Sequence, residues 1–138
     1  MTKNVKIFVE GISEADGNGE PIKTCTEGSF YEKDCFSYIA YDDSPDGEAI
    51  VKTLVKFSES YLEITRKGAY NARLIFEEGK EHLSDYNTPF GTFKILTDTK
   101  KLSIKKQDNL IEISALYFEE MNGEKLGRCK MKMKIESM

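Results

Sequence analysis

Arg66 is the residue whose chemistry bears most directly on function, because it interrupts an apolar alternation. One face of a predicted strand carries Leu62, Ile64 and Arg66. A guanidinium stays charged at physiological pH, and its burial without a partner is strongly unfavourable. Arg66 must therefore meet either oxygens of the protein, above all a glutamate, or the anionic head of a ligand. A strand that reaches solvent before Arg66 is the third explanation of this pattern.

The rest of the candidate ligand-binding site consists of four residues, Arg73, Tyr86, Thr88 and Phe90. Arg73 offers a second guanidinium. Its position on the face opposite Ala72, Leu74 and Phe76 favours a solvated side chain, although Ile75 shares its side of the strand and leaves its direction open. Tyr86 and Thr88 precede Pro89-Phe90-Gly91, in which proline fixes φ and glycine permits a tight bend. This turn either closes one end of the fold with Phe90 as a plug, or forms a portal beside the Arg66-Lys67-Gly68 turn.

Acid–base and metal chemistry have little material in this chain. His82 is the one histidine, and histidine is the usual general base near neutral pH. It stands near no recognisable serine or cysteine nucleophile motif. Cys25, Cys35 and Cys129 form no C-x-x-C pair, which favours reduced thiols over a disulfide framework or a zinc site. We therefore predict no catalytic residue, no metal and no cofactor, and a protein that is not an enzyme.

The composition is typical of one globular domain spanning residues 1–138. Hydrophobic residues make up 39% and charged residues 32% of the chain, close to the average of soluble proteins. The apolar run Ile7–Val9 is too short for the core of a signal peptide. No run approaches the ~20 apolar residues of a membrane helix. We expect a cytoplasmic protein without membrane association.

The charge balance narrows the class of partner. A net charge of -4 disfavours a nucleic-acid surface. Lys130, Lys132 and Lys134 share one face of a strand, and such a ladder is typical of a solvated face or a guarded edge. The remaining candidates are a small-molecule ligand, an unknown protein partner, or a second copy of the chain in a homodimer.

The elements that must position these residues are strands, because alternation with period two runs through the chain and no sustained helical stripe occurs. The last segment is the clearest case, since Cys129, Met131 and Met133 alternate with lysines and are predicted to point into the core. Ten strands are predicted: 5–9, one between 22 and 33, 35–42, 50–57, 61–67, 71–77, 81–87, 92–106, 110–120 and 126–136.

Short connections link these strands and indicate an antiparallel meander. Turn-forming residues occur at 14–21 and 43–47, and Asn122-Gly123 is the dipeptide that best fits a type I′ hairpin turn. The run 92–106 is long enough to contain a bulge. Because closure removes exposed sheet edges, the sequence predicts an all-β, up-and-down barrel of about eight to ten strands.

Three segments carry a resemblance to a known family. They are Arg66-Lys67-Gly68-Ala69, Leu74-Ile75-Phe76-Glu77-Glu78-Gly79-Lys80 and Tyr86-Asn87-Thr88-Pro89-Phe90-Gly91-Thr92, followed by Thr99 in the long strand. From about Val5 to Ile135 the chain resembles the YwiB-like family of small bacterial proteins of unknown function. The resemblance implies a calycin-like, lipocalin-like β-barrel, and it carries over no catalytic residue, ligand or partner.

A barrel of this size is either filled by side chains or holds one small ligand. The first interpretation is therefore a carrier or sensor that binds a small apolar or amphipathic anion inside the barrel, with Arg66 as its anchor. The alternative is a protein-interaction module with a packed core and no small-molecule ligand. An enzyme resting on His82 and scattered carboxylates is the weakest of the three hypotheses.

Overall fold

The computed structural model describes residues 2–13, 22–43 and 50–138. These residues form ten strands and no helix, as the alternation predicts. The strands are β1 (Asn4–Ser13), β2 (Ile22–Lys33), β3 (Phe36–Asp43), β4 (Val51–Phe57), β5 (Leu62–Gly68), β6 (Asn71–Phe76), β7 (Glu81–Thr88), β8 (Gly91–Lys106), β9 (Leu110–Met121) and β10 (Glu124–Ser137). The turns predicted at 14–21 and 43–47 lie outside the described residues, apart from Asp43.

Each strand pairs antiparallel with the next one in sequence, and β10 pairs with β1 to close the barrel. The register aligns inward positions of neighbouring strands, so that Ile135 lies opposite Ile7 on one side and Ile111 on the other. The predicted up-and-down antiparallel barrel is therefore confirmed, with ten strands.

The apolar core fills the interior toward one end of the barrel. Ile7, Ile39 and Ile135 have no exposed surface, and the predicted core residues Met131 and Met133 are buried beside them. The remaining members of this core are Val5, Phe30, Tyr41, Val55, Phe57, Leu62, Ile64, Phe76, Ile111, Ile113 and Ala115. This end of the barrel is thus packed by side chains, as hydrophobic burial favours.

Two local backbone features follow the sequence prediction. Asn122 and Gly123 both have positive φ, 52° and 83°, as a type I′ turn requires. In β8 the register shifts between Thr99 and Lys101, which is the bulge that the length of this strand predicts. Both features let β8, β9 and β10 curve around the barrel.

The barrel wall is weakest between β6 and β7. Only Asn71 with Asn87 and Ala72 with Tyr86 are paired among the described residues of these two strands. Beyond these pairs the β6–β7 turn is attached to β8 instead, since the Gly79 N–H donates to the Thr99 carbonyl over 2.8 Å. The two strands therefore diverge in the middle of the wall.

Candidate functional site

A cavity of about 400 Å³ occupies the end of the barrel interior opposite the apolar core. The sequence explains why the barrel is open at this end, because several inward positions there carry polar instead of aliphatic side chains. The lining residues are Val9, Gly11, Ile12, Ser13, Ile22, Thr24, Tyr41, Arg66, Tyr70, Tyr117, Glu119, Cys129 and Lys130. The barrel is therefore neither fully packed nor fully hollow, and its open part contains Arg66.

Arg66 extends from β5 into this cavity, with Thr53 of β4 and Ala72 of β6 opposite it in the register. Its Nε atom is buried and has no hydrogen-bond partner. Across the part of the chain that the structure describes, no carboxylate oxygen lies within 4.0 Å of its guanidinium. The interior salt bridge that could have explained this residue is not found there, which leaves an unpaired cation at the cavity.

Two tyrosines lie close to this guanidinium. Tyr86 pairs with Ala72 across the short β6–β7 contact, and its ring centroid lies 5.3 Å from that of Tyr70, a cavity residue. Partial burial and the neighbouring Tyr70 raise the pKa of Tyr86, while the positive charge of Arg66 lowers it. The structure therefore places Tyr86 near Arg66, although Tyr86 itself is not among the residues that line the cavity.

Glu119 and Tyr117 are cavity residues that the sequence interpretation missed. Both lie on the inward side of β9, and burial raises the pKa of each group. The Cys129 thiol donates to Glu119 Oε1 over 3.8 Å and, with the charge of Arg66, lowers the Glu119 pKa in part. A signal was present in the sequence, because Glu119 continues the alternation of Ile113, Ala115 and Tyr117.

Three buried hydroxyls lie beside these residues without partners. Thr53, Thr97 and Thr99 are 3%, 1% and 0% exposed, and none of their Oγ1 atoms has a hydrogen-bond partner. In the register, Thr53 lies opposite Arg66. Thr97 and Thr99 of β8 lie opposite Glu119 and Tyr117 of β9. Buried polar groups normally find a partner, but none of these three threonines is part of the cavity lining.

Arg73, the second predicted guanidinium, lies on the outside of the barrel. Its Nη2 is 3.0 Å from Glu63 Oε1, and its side chain is 62% exposed. Partial burial would raise the pKa of Glu63, but hydrogen bonds from Tyr61 and Arg73 bring it below its usual value. The outward direction follows from the register, because Arg73 lies opposite Thr65 on the outer face rather than beside Arg66.

Thr88 and Phe90 form the β7–β8 turn and do not line the cavity. The Thr88 hydroxyl donates to the Gly91 carbonyl over 2.9 Å and accepts the Phe90 N–H over 3.1 Å. Phe90 is 94% exposed, so the expectation that it plugs the barrel is wrong. The physical reason is that a tight turn directs its central side chain away from the strand ends.

His82 forms a dyad with Glu77 that is separate from the cavity lining. The two side chains approach to 2.9 Å between Nε2 and Oε1. Within residues 2–13, 22–43 and 50–138, no three histidine, cysteine or acidic side chains come together as metal ligands. Among the described residues, no helix is long and apolar enough to cross a membrane.

Comparison with known proteins agrees with this architecture. The family model described as "Domain of unknown function (DUF1934)" matches residues 7–133. The "Uncharacterized beta-barrel protein YwiB" of Bacillus subtilis (strain 168) is 32% identical over 114 residues, which cover 82% of this chain and 79% of that protein. The crystal structure of ywiB protein from Bacillus subtilis superposes with a TM-score of 0.87 at 28% identity, covering 99% of this chain and 92% of the other. The chain therefore belongs to the DUF1934 family of unknown function, among bacterial β-barrel proteins like YwiB.

Proposed function

We propose that this barrel binds a small amphipathic anion and that Arg66 pairs with the anionic head. One observation carries the proposal: the Arg66 guanidinium faces a cavity while its Nε is buried and unpaired. A carboxylate or phosphate matches the fork of guanidinium donors and would supply the missing partner. Leaving this cation unpaired is unfavourable, so an anion that enters the cavity relieves an existing cost.

The lining supports a ligand with both polar and apolar parts. Val9, Ile22, Tyr41 and Tyr70 offer aliphatic and aromatic surface around the charged group. The cavity of about 400 Å³ falls within the usual range for small-molecule sites, about 300–1,000 Å³. Because the apolar core fills the other end, the ligand is a compact molecule rather than a long acyl chain.

We infer that the protein binds its ligand without catalysing a reaction. We also infer that it is a calycin-like barrel of the bacterial cytoplasm. The His82–Glu77 dyad is apart from the cavity lining, which supports a carrier or sensor over an enzyme. Cys25 and Cys35 are exposed and form no disulfide, which supports a reducing compartment. A closed barrel with an interior site is the arrangement that lipocalin-like proteins use.

A thermal-shift screen tests the binding proposal. The purified full chain is heated with short aliphatic acids, aromatic acids, amino acids and inorganic phosphate, each at millimolar concentration. A ligand present at 100 times its dissociation constant adds about 2.7 kcal/mol of stability. We expect at least one of these compounds to raise the melting temperature of the wild type and of Arg73→Met, but not of Arg66→Met. Equal shifts in all three proteins, or no shift with any of the compounds, would overturn the proposal.

A protein-interaction role, including homodimerisation, is the second candidate, and an outer groove favours it. Where β6 and β7 diverge, a groove of about 500 Å³ is lined in part by Arg73, Ile75, Leu83 and Asp85. Leu83 is 66% exposed, which is unusual for a large aliphatic side chain on a strand. Light scattering tests self-association: a dimer that Leu83→Lys dissociates supports this role, and a monomer at all concentrations excludes homodimerisation.

A further inference from the structure

Arg66 and Glu119 carry opposite charges in the same cavity and do not pair. Both line it, and the charge of Arg66 acts on Glu119. Among the described side chains, however, no carboxylate oxygen comes within 4.0 Å of the Arg66 guanidinium. Two opposite charges that face one space without meeting leave room for a molecule that contacts both.

The topology keeps the two groups apart. Arg66 lies on β5 and Glu119 on β9, and β6, β7 and β8 separate these strands along one side of the barrel. Since a ten-stranded ring places such strands on facing walls, the cavity lies between the two side chains. Neither strand can move toward the other without breaking its ladders with both neighbours.

Glu119 has few partners of its own. Its one donor in the described structure is the Cys129 thiol, 3.8 Å away, and a thiol is a weak donor. Across the β8–β9 ladder it faces Thr97, whose Oγ1 has no hydrogen-bond partner. A carboxylate has about four acceptor sites, so most of its hydrogen-bonding capacity is unused.

We propose that the ligand is a small zwitterion, an apolar amino acid or a similar amine-bearing acid. Its carboxylate binds the Arg66 guanidinium and its ammonium group binds the Glu119 carboxylate. Tyr41, Tyr70 and Tyr117 provide aromatic surface for the apolar part. This inference rests on the proposed function, because it assumes that Arg66 binds an anionic group, and it adds the positive group that Glu119 recognises.

A plain anion would fit the same cavity less well. It would bring a second negative charge toward Glu119 unless that carboxyl first takes up a proton. Burial raises the pKa of Glu119, so this carboxyl takes up a proton at a higher pH than an exposed glutamate does. Among the described residues, Arg66, Tyr117 and Cys129 interact electrostatically with Glu119, and Arg66 is the cation of these three. The other titratable groups of the cavity lining are Tyr41, Tyr70 and Lys130. The two ligand classes therefore predict opposite pH trends: acidification weakens zwitterion binding and strengthens binding of a plain acid.

Matched probe pairs test the inference by calorimetry on the full chain. Phenylalanine is compared with 3-phenylpropionate, and leucine with 4-methylpentanoate, first at neutral pH and then under mildly acidic conditions, because burial raises the pKa of Glu119 and acidification favours its protonated form. We expect the amino acid of at least one pair to bind roughly tenfold more tightly than its matched acid at the higher pH, since tenfold corresponds to one charged contact of about 1.4 kcal/mol. Acids that bind as tightly as the amino acids overturn the zwitterion inference and leave the proposed function standing. Failure of both classes to bind overturns both.

Glu119→Gln separates the two proposals further. This nearly isosteric variant removes the negative charge and keeps the volume, so it should fold. We expect it to lose roughly tenfold in affinity for the amino acid while binding of the matched acid is unchanged or stronger. Arg66→Met should abolish both. Glu63→Gln, on the outer surface, is the matched control and should change neither; an equal loss with both probes in Glu119→Gln would contradict the inference.

Discussion

At the scale of single residues, the cavity contains a charged group that no described residue neutralises. This group is Arg66: its Nε is buried and unpaired, whereas Arg73 on the outer face is satisfied by Glu63 at 3.0 Å. The two arginines are seven positions apart on neighbouring strands, and only their direction distinguishes them. Native proteins keep unsatisfied polar groups mainly where function requires them.

Replacing Arg66 should therefore stabilise the empty protein. Arg66→Met removes an unpaired charge and retains apolar volume, so we expect the free energy of unfolding to rise by about 1 kcal/mol. Arg73→Met is the control and should lower it by less than about 1 kcal/mol, because an exposed ion pair contributes little. Urea unfolding of the unliganded proteins measures both; a clear loss of stability in Arg66→Met would show that the side chain has a structural partner.

Glu119 predicts a pH dependence of stability. Burial raises its pKa in the folded state above the unfolded value. Its contribution to stability is therefore fully present below the unfolded pKa and is lost as the pH rises through the folded pKa. We expect Glu119→Gln to be more stable than the wild type at neutral pH, and the difference to shrink as the solution is acidified. Thermal unfolding across that range measures it, and a constant difference would contradict the assignment.

At the scale of elements, the positions of the strands could be predicted from the sequence. The face of the sheet to which a given side chain points was harder to predict. All ten strands follow from period-two alternation, and the Asn122-Gly123 turn follows from its composition, because both signals are local. For Arg66 the apolar neighbours Leu62 and Ile64 indicated an inward direction only on the condition that this pair faces the core, and both are buried in the structure. The local pattern left the direction of Arg73 open, because Ile75 shares its side of the strand, and the direction follows instead from the pairing of Arg73 with Thr65 of β5. The departure of β6 from β7 after two pairs has no local signal in the sequence.

The contact between β2 and β3 tests the packing of one element against another. A Cβ added at Gly28 would overlap the Ala40 carbonyl oxygen and lie 2.9 Å from Ile7 Cδ1. Gly28→Ala should therefore lower the free energy of unfolding by about 1–3 kcal/mol. Gly11→Ala is the matched control, because no atom lies within 4 Å of its added Cβ. Denaturant unfolding measures the free energy of unfolding of both variants. Equal effects of the two substitutions would mean that the close contact at Gly28 does not limit the packing of β2 against β3.

At the scale of the whole molecule, the barrel combines a packed end with an open end. The apolar core explains stability, while the cavity with Arg66 and Glu119 lies at the other end of the barrel. Such a division lets one small domain keep polar, unsatisfied groups without losing its fold. The sequence could not establish this division, because composition is the same for a filled barrel and for a pocket wall.

Hydrogen exchange should reveal the weak contact between β6 and β7 in the barrel wall. We expect backbone amides of residues 73–85 to exchange faster than those of β9 and β10, because β6 and β7 share only two register pairs. Mass spectrometry of peptides from the exchanged protein measures the difference. Equal protection of the two regions would mean that β6 and β7 are joined along their whole length in solution.

Arg66 is the proposed counter-charge for a ligand inside the barrel. The chain has three arginines, Arg66, Arg73 and Arg128, so their side-chain Nε–H resonances can be assigned by mutation. In an NMR titration with the acid or amino acid that stabilises the protein most, we expect the Arg66 Nε–H resonance to shift and saturate while that of Arg73 stays unchanged. Saturable binding that leaves the Arg66 resonance in place would contradict the claim.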